Sequence, residues 1–251
     1  MKLLNAGNTK TIKGEAIGYR TYGIHLAPSK ISGYNTCPYA SKGCALACLN
    51  TAGRGIMKTV QQARIDKTKM FFEDREAFME QLIKEIRSSI KSAKRAGLKP
   101  CFRLNLTSDI SWEKLTVVGE KTSLFDKRDQ TIFDLFPDVT FYDYTKSMSR
   151  AKASQRLKGG CWPSNYHLTY SRSEVTNDDW IKKLAHMGVN TAVVFRGQLP
   201  EKYLGLDVVS GDETDLRFLD KKGVVVGLTE KGLAKKDETG FVVEPALTSV
   251  H

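Results

Sequence analysis

The 251-residue chain carries a formal charge of +11 and is 41% hydrophobic, 27% charged and 9% aromatic. That profile excludes global disorder, because enough apolar surface is present to offset the entropy of ordering the chain, and the length suits one large domain. No run approaches eighteen apolar residues and the opening MKLLNAGNTKTIKG lacks an apolar signal core, so neither a membrane span nor export is expected.

In chain order, hydrophobic period and punctuation give an alternating pattern. YGIHLAP (22–28) reads as a strand and runs into a long loop, SKISGYNTCPYASKGCALACLNTAGRG. Two helices follow over about 56–72 and 75–95. The second has a buried stripe of Met79, Leu82, Ile83, Ile86, Ile90 and Ala93, with Lys84, Arg87, Lys91 and Lys94 on its outer side. CFRLNL (101–106) is a strand ending at Thr107-Ser108-Asp109, followed by a helical or irregular stretch over 110–136. VTFYDY (139–144) ends at Thr145-Lys146-Ser147, where Ser147 or Ser149 is expected to cap a short basic helix. YHLTYS (166–171), a helix over about 178–187, NTAVVF (190–195), LDVVS (206–210) and GVVVGL (223–228) complete the set.

Strand and helix in alternation argue for parallel strands with crossover helices. The expected fold is α/β, a complete or partial (β/α) barrel with a cysteine-bearing loop after the first strand. A doubly wound open sheet is the rival, without its dinucleotide-binding form, since no G-x-G-x-x-G follows a strand. Residues 1–251 then form a single barrel-like domain, with 29–55 as a cofactor loop and 230–251 as a C-terminal extension.

In such folds the C-terminal strand ends form the reactive rim. The residues offered there make Lys146, Arg172 and Arg196 candidates for binding an anion. Asn105, Ser108, Asp109, Tyr144 and Tyr170 are candidates for polar or proton-handling contacts to a substrate. Arg103, Asn105 and Thr107 alternate with Phe102, Leu104 and Leu106, so the polar set points inward, toward a bound ligand or an internal polar network. The charge is uneven. Residues 201–251 hold seven Lys/Arg against ten Asp/Glu, giving −3, which leaves +14 on the first two hundred. The span 144–173 has six basic residues, no acid, and the stacking side chains Tyr144, Trp162, Tyr166 and Tyr170. An anionic small molecule or nucleic acid is the implied partner, a solvated basic surface the plainer alternative. Asp212, Glu213 and Asp215 form an acidic loop that could bind a hard cation but reads first as a solvated loop.

Three of the five cysteines, Cys37, Cys44 and Cys48, stand in C-x6-C-x3-C spacing. Soft thiolates clustered this closely select zinc or an iron–sulfur cluster. Structural zinc favours four ligands in paired C-x2-4-C knuckles. Three thiolates suit a [4Fe–4S] cluster with one iron left open, and three structural cysteines remain the plain alternative. Cys101 and Cys161 lie at the far ends of their strands and read as ordinary buried cysteines.

Three cysteines after the first strand of a partial barrel resemble the architecture of radical S-adenosylmethionine (SAM) enzymes. By that resemblance Cys37, Cys44 and Cys48 would ligate a [4Fe–4S] cluster and SAM would occupy the open iron. The spacing here differs from the usual C-x3-C-x2-C, and Thr107-Ser108-Asp109 replaces the glycine-rich stretch after the second strand. TCPYASKGCALACLNTAGRG, LNLTSDISWE, FYDYTKS and YHLTYSRSE resemble the phage gene product 88 family, which implies a bacteriophage protein in the cytoplasm of the infected bacterial host. The expected function is an iron–sulfur protein acting on a nucleotide or nucleic-acid substrate. The alternative is a non-catalytic phage nucleic-acid-binding protein with a structural iron–sulfur or zinc site.

Overall fold

A computed structural model describes residues 1–6, 12–117, 130–155 and 162–245. Its strands are β1 (Leu4–Ala6), β2 (Tyr19–Ile24), β3 (Lys99–Arg103), β4 (Thr140–Thr145), β5 (Tyr166–Ser171), β6 (Thr191–Phe195), β7 (Lys202–Tyr203), β8 (Leu206–Ser210), β9 (Val225–Thr229) and β10 (Val242–Val243). Between them run α1 (Lys42–Leu46), α2 (Lys58–Glu73), α3 (Arg75–Arg95), α4 (Ile132–Leu135), α5 (Met148–Ala153) and α6 (Asp178–His186). The strands form one sheet in the order β1-β2-β3-β4-β5-β6-β9-β8-β7, with β10 beside β6. Every pairing is parallel except the two at the ends, β1 with β2 and β7 with β8. The path has two free ends, so the sheet is not closed.

Local chemistry explains the element boundaries. The Asp74 side chain accepts from Ala77 N and starts α3, and Gly97 at φ +70° lets the chain leave it. Ser147 caps α5 by accepting from Arg150 N. Of the stretch 230–251, the described part ends in β10, whose Val242 and Val243 pair with Val194 and Phe195. Among the described residues no helix is long and apolar enough to cross a membrane.

The sheet has two different faces, as period-two alternation requires. One carries Tyr22, Phe102, Phe141 and Tyr166 and is covered by Phe71, Phe78, Met79, Leu82 and Ile86 of α2 and α3, with Trp112 and Phe133. The other carries Thr21, Cys101, Arg103, Tyr142 and Tyr144. It is covered by the chain that follows β8. There Leu216 packs on Cys101 and Tyr142, and the Phe218 ring meets Tyr19 and Tyr142 edge-on. Asp215 pairs with Arg103 at 2.7 Å and accepts from the Tyr142 hydroxyl at 3.4 Å. Asp215 is 1% exposed, so the acidic loop expected to be solvated instead supplies the counter-charge for an inward-facing arginine. Gly211 permits this return: a Cβ there would stand 2.6 Å from Val226 and 2.8 Å from Leu228.

A candidate thiol centre on the sheet rim

The cysteine loop leaves β2 at Ile24 and is stitched across the C-terminal strand ends. The Thr107 hydroxyl donates to Leu26 O, the Thr36 hydroxyl to Ala27 O, and Asp109 N to Thr36 O. The Ser41 hydroxyl caps α1 by accepting from Cys44 N. Glu174, just beyond β5, accepts from Ser41 Oγ at 2.6 Å and Gly43 N at 2.7 Å. A Cβ on Gly43 would overlap Thr239 Oγ1 and stand 2.6 Å from Glu174 Oε2, so any larger residue would displace the carboxylate that seats α1. Ala47 packs on Ala234 and Val242 at the other side of the rim.

Cys37, Cys44 and Cys48 are free and half-buried. Burial raises the pKa of all three thiols, that of Cys44 to about 11. The three interact electrostatically: Cys48 and Cys37 push Cys44 up, and Cys48 pushes Cys37 up. Each also has a partner favouring its thiolate. That partner is the Lys146 ammonium for Cys44, the Asn50 backbone N–H and Arg64 for Cys48, and the Ser29 backbone N–H for Cys37. Among the described residues no group of three or more His, Cys, Asp or Glu is arranged to hold a metal ion. The donor set is nonetheless chemically apt for a thiolate-bound cofactor, being soft sulfur with hydrogen-bond donors and cations around it. Cys101 lies in the inner polar face, 3.2 Å from the Thr21 hydroxyl, with burial lifting its thiol to about 12. Cys161 falls outside the described residues.

The other rim candidates divide. Lys146 joins the thiols: it is half-buried, interacts with Cys44, Asp109 and Glu174, and donates to Ser171 O, Ser171 Oγ and Arg172 O. Asp109 lies beside Cys37, pairs with Arg150 and accepts from Lys146 N. Asn105 builds the loop beneath: its Oδ1 accepts from the Ser108 hydroxyl, Ile110 N and Trp112 Nε1. Tyr144 lies under the Arg103 guanidinium on the inner face. The Tyr170 hydroxyl is 3.0 Å from Thr176 Oγ1, and its ring packs with Ala151, Leu184 and Val189 beneath α5 and α6. Arg172 donates to Gly240 O and Phe241 O, and Arg196 to Lys235 O and Asp237 O. Both hold the β10 segment against the sheet.

The acid-free basic span is answered from elsewhere. Arg150 meets Asp109 and Glu113, and Lys152 lies over the Trp180 ring at 4.0 Å. Arg156 and Lys158 fall outside the described residues. Three other groups, not among the rim candidates, cluster beside this loop, and one of them, Arg64, acts on Cys48. His25 follows β2, and Arg64 and Lys67 lie on α2, both buried and on one side of the helix with Val60, Ala63 and Phe71. The place of Arg64 and Lys67 on the same helix face as Val60, Ala63 and Phe71 was the available signal.

A family model described as Gene product 88 matches residues 2–245. No curated protein and no solved structure matches the chain.

Proposed function

The chain belongs to the Gene product 88 family, and we propose that it is a bacteriophage iron–sulfur protein acting in the cytoplasm of the infected bacterium. Cys37, Cys44 and Cys48 would hold a [4Fe–4S] cluster at the mouth of a partial (β/α) barrel. The unbroken parallel run β2-β3-β4-β5-β6 supports that reading of the sheet, since sequential neighbours linked by crossovers are how a barrel wall is built. The observation that carries the proposal is the set of three free thiols on one rim, each beside a group that favours its thiolate.

A bound cluster would supply one-electron chemistry at an iron open to an exogenous ligand, with SAM the ligand implied by the radical SAM resemblance. The chain's own residues do the positioning. Glu174 fixes α1 and with it Cys44. Asp109 N holds Thr36, and so Cys37, against the end of β3. Lys146 keeps a positive charge beside Cys44. A single zinc ion needs its sulfurs about 2.3 Å from one point, whereas a cubane distributes three thiolates over three irons.

Anaerobic purification or reconstitution with iron and sulfide analysis tests the proposal. The expected result is about four irons per chain with an electron paramagnetic resonance signal on reduction. Cys44→Ala should bring the iron to background while circular dichroism stays unchanged. About one zinc and no iron per chain would overturn the iron–sulfur reading. Formation of 5′-deoxyadenosine from SAM on reduction would place the protein with the radical SAM enzymes; a loaded cluster without it would remove SAM from the proposal.

A further inference from the structure

Below the C-terminal end of the cysteine loop lies a cavity of about 230 Å³ lined by Asn5, His25, Thr59, Ala63, Arg64 and Lys67. It lies between the last turn of β2, the first strand and one face of α2. It opens to solvent at Asn5 and Thr59, while its two basic side chains lie deep in its wall. Arg64 is 7% exposed and Lys67 5%, yet neither meets a carboxylate in a salt bridge among the described residues. The Arg64 Nη1 donates to Asn50 O and Oδ1, while its Nε–H is buried without a partner. Lys67 Nζ gives one hydrogen bond, to Leu3 O at 3.1 Å, and has two more to give. The acid acting on Lys67 is Glu85, whose oxygens are already engaged by Leu3 N, Leu4 N and Gln81 Nε2. His25 Nδ1 is likewise buried without a partner.

Two buried cations facing one cavity with no acid between them carry a large desolvation cost, which an anion in that cavity would offset. With Nη1 committed to Asn50, the Nε–H has no internal partner, and a small shift of the guanidinium would present it to the cavity in the side-on geometry by which arginine grips carboxylate or phosphate oxygens. Thr59 and Asn5 add neutral polar groups to the same lining. We propose that this cavity binds a small oxyanion group, a phosphate or a carboxylate, through Arg64, Lys67 and His25. Burial together with Arg64, Lys67 and Arg103 holds His25 near pKa 3, so at neutral pH it acts as an uncharged donor or acceptor. The volume lies below the roughly 300–1,000 Å³ of sites for drug-sized ligands, which fits a terminal anionic group of a few heavy atoms. Arg64 reaches Asn50, two residues past Cys48, so the anion would sit directly beneath the thiol rim. The site uses only the chain's own cations and does not require the thiols to carry a cluster.

Titration calorimetry on the full chain, in a buffer free of phosphate and carboxylate and at constant ionic strength, tests this with inorganic phosphate, a simple phosphomonoester and acetate as separate probes. Saturable binding of at least one probe is expected, with a rise of several degrees in the thermal midpoint at saturation. Comparison of the three arms assigns the oxyanion class. Arg64→Gln should weaken that binding at least tenfold, and Ala63→Leu, which fills the cavity without touching charge, should do the same. Exposed Lys84→Ala should leave it unchanged. No binding beyond that seen with chloride, or binding undiminished in both Arg64→Gln and Ala63→Leu, would overturn the proposal.

Discussion

Two places in this protein bury arginine, and they treat it in opposite ways. On the inner sheet face and under the rim, Arg103 and Arg150 have carboxylates at hand: Asp215 and Asp143 for the first, Asp109 and Glu113 for the second. Burial works against both charges, but Asp215 and Asp143 for Arg103, and Glu113 and Asp109 for Arg150, with nearby tyrosines, raise both pKa values above the ordinary arginine value. Beneath the cysteine loop the sign reverses. Burial lowers the pKa of Arg64 and of Lys67, with no carboxylate and only the Cys48 thiol acting on the former, and only the already engaged Glu85 on the latter. A charge answered inside the chain belongs to the architecture, whereas one left unanswered in a cavity is available to something from outside.

The contrast can be broken most forcefully at Arg103. Arg103→Ala leaves Asp215 and Asp143 buried without their cation and should cost about 3–5 kcal/mol in urea denaturation. A loss under 1 kcal/mol would mean that the inner face is not held by charge. Gly43→Ala probes the seating of α1 and should destabilise by about 1–3 kcal/mol, since the methyl group meets Thr239 and Glu174. Iron retention on reconstitution should fall with it, and full retention would separate α1 from the cofactor site.

Asp143 gives a prediction in pH. Burial lifts its carboxyl from 3.8 to about 7, against the pull of Arg103 and the Asn105 N–H. Because the folded-state value lies above the unfolded one, its contribution to stability is full below about pH 4 and is lost as pH rises through about 7. Asp143→Asn should flatten that part of the stability profile; an unchanged slope would place the titration elsewhere. The smallest effect is expected at Arg64. In anion-free buffer Arg64→Met should change stability by less than about 1 kcal/mol, because relief of an uncompensated charge offsets the lost bonds to Asn50. A loss as large as that of Arg103→Ala would abolish the distinction between the two regions.

The long periodic segments were legible from the sequence. YHLTYS and LDVVS coincide with β5 and β8, and the 75–95 helix coincides with α3, because apolar period and capping residues act within each segment. The strands β1, β7 and β10 were not legible, since two or three residues carry no period and are extended only because a neighbour pairs with them. The cysteine loop was visible through its spacing. The rest of the rim was harder for a physical reason. Whether Lys146, Arg172 or Arg196 faces a ligand depends on carbonyls supplied from up to 69 residues away, and those partners leave no mark on local sequence. Arg64 and Lys67 escaped for the converse reason. A basic residue on a helix reads as solvated unless its apolar neighbours on the same face are weighed with it.

The Arg103–Asp215 pair also says something about how the chain comes into being. The partners are 112 residues apart, so the inner face of β2, β3 and β4 leaves the ribosome well before the segment that covers it. At about 5–20 residues per second that interval is on the order of ten seconds. Thr21, Arg103, Tyr142 and Tyr144 can be hydrated during the wait, where a bare leucine surface would recruit other nascent chains. The ion pair can close only once Asp215 has been made, and a charged arginine is a side chain that water can hold until then.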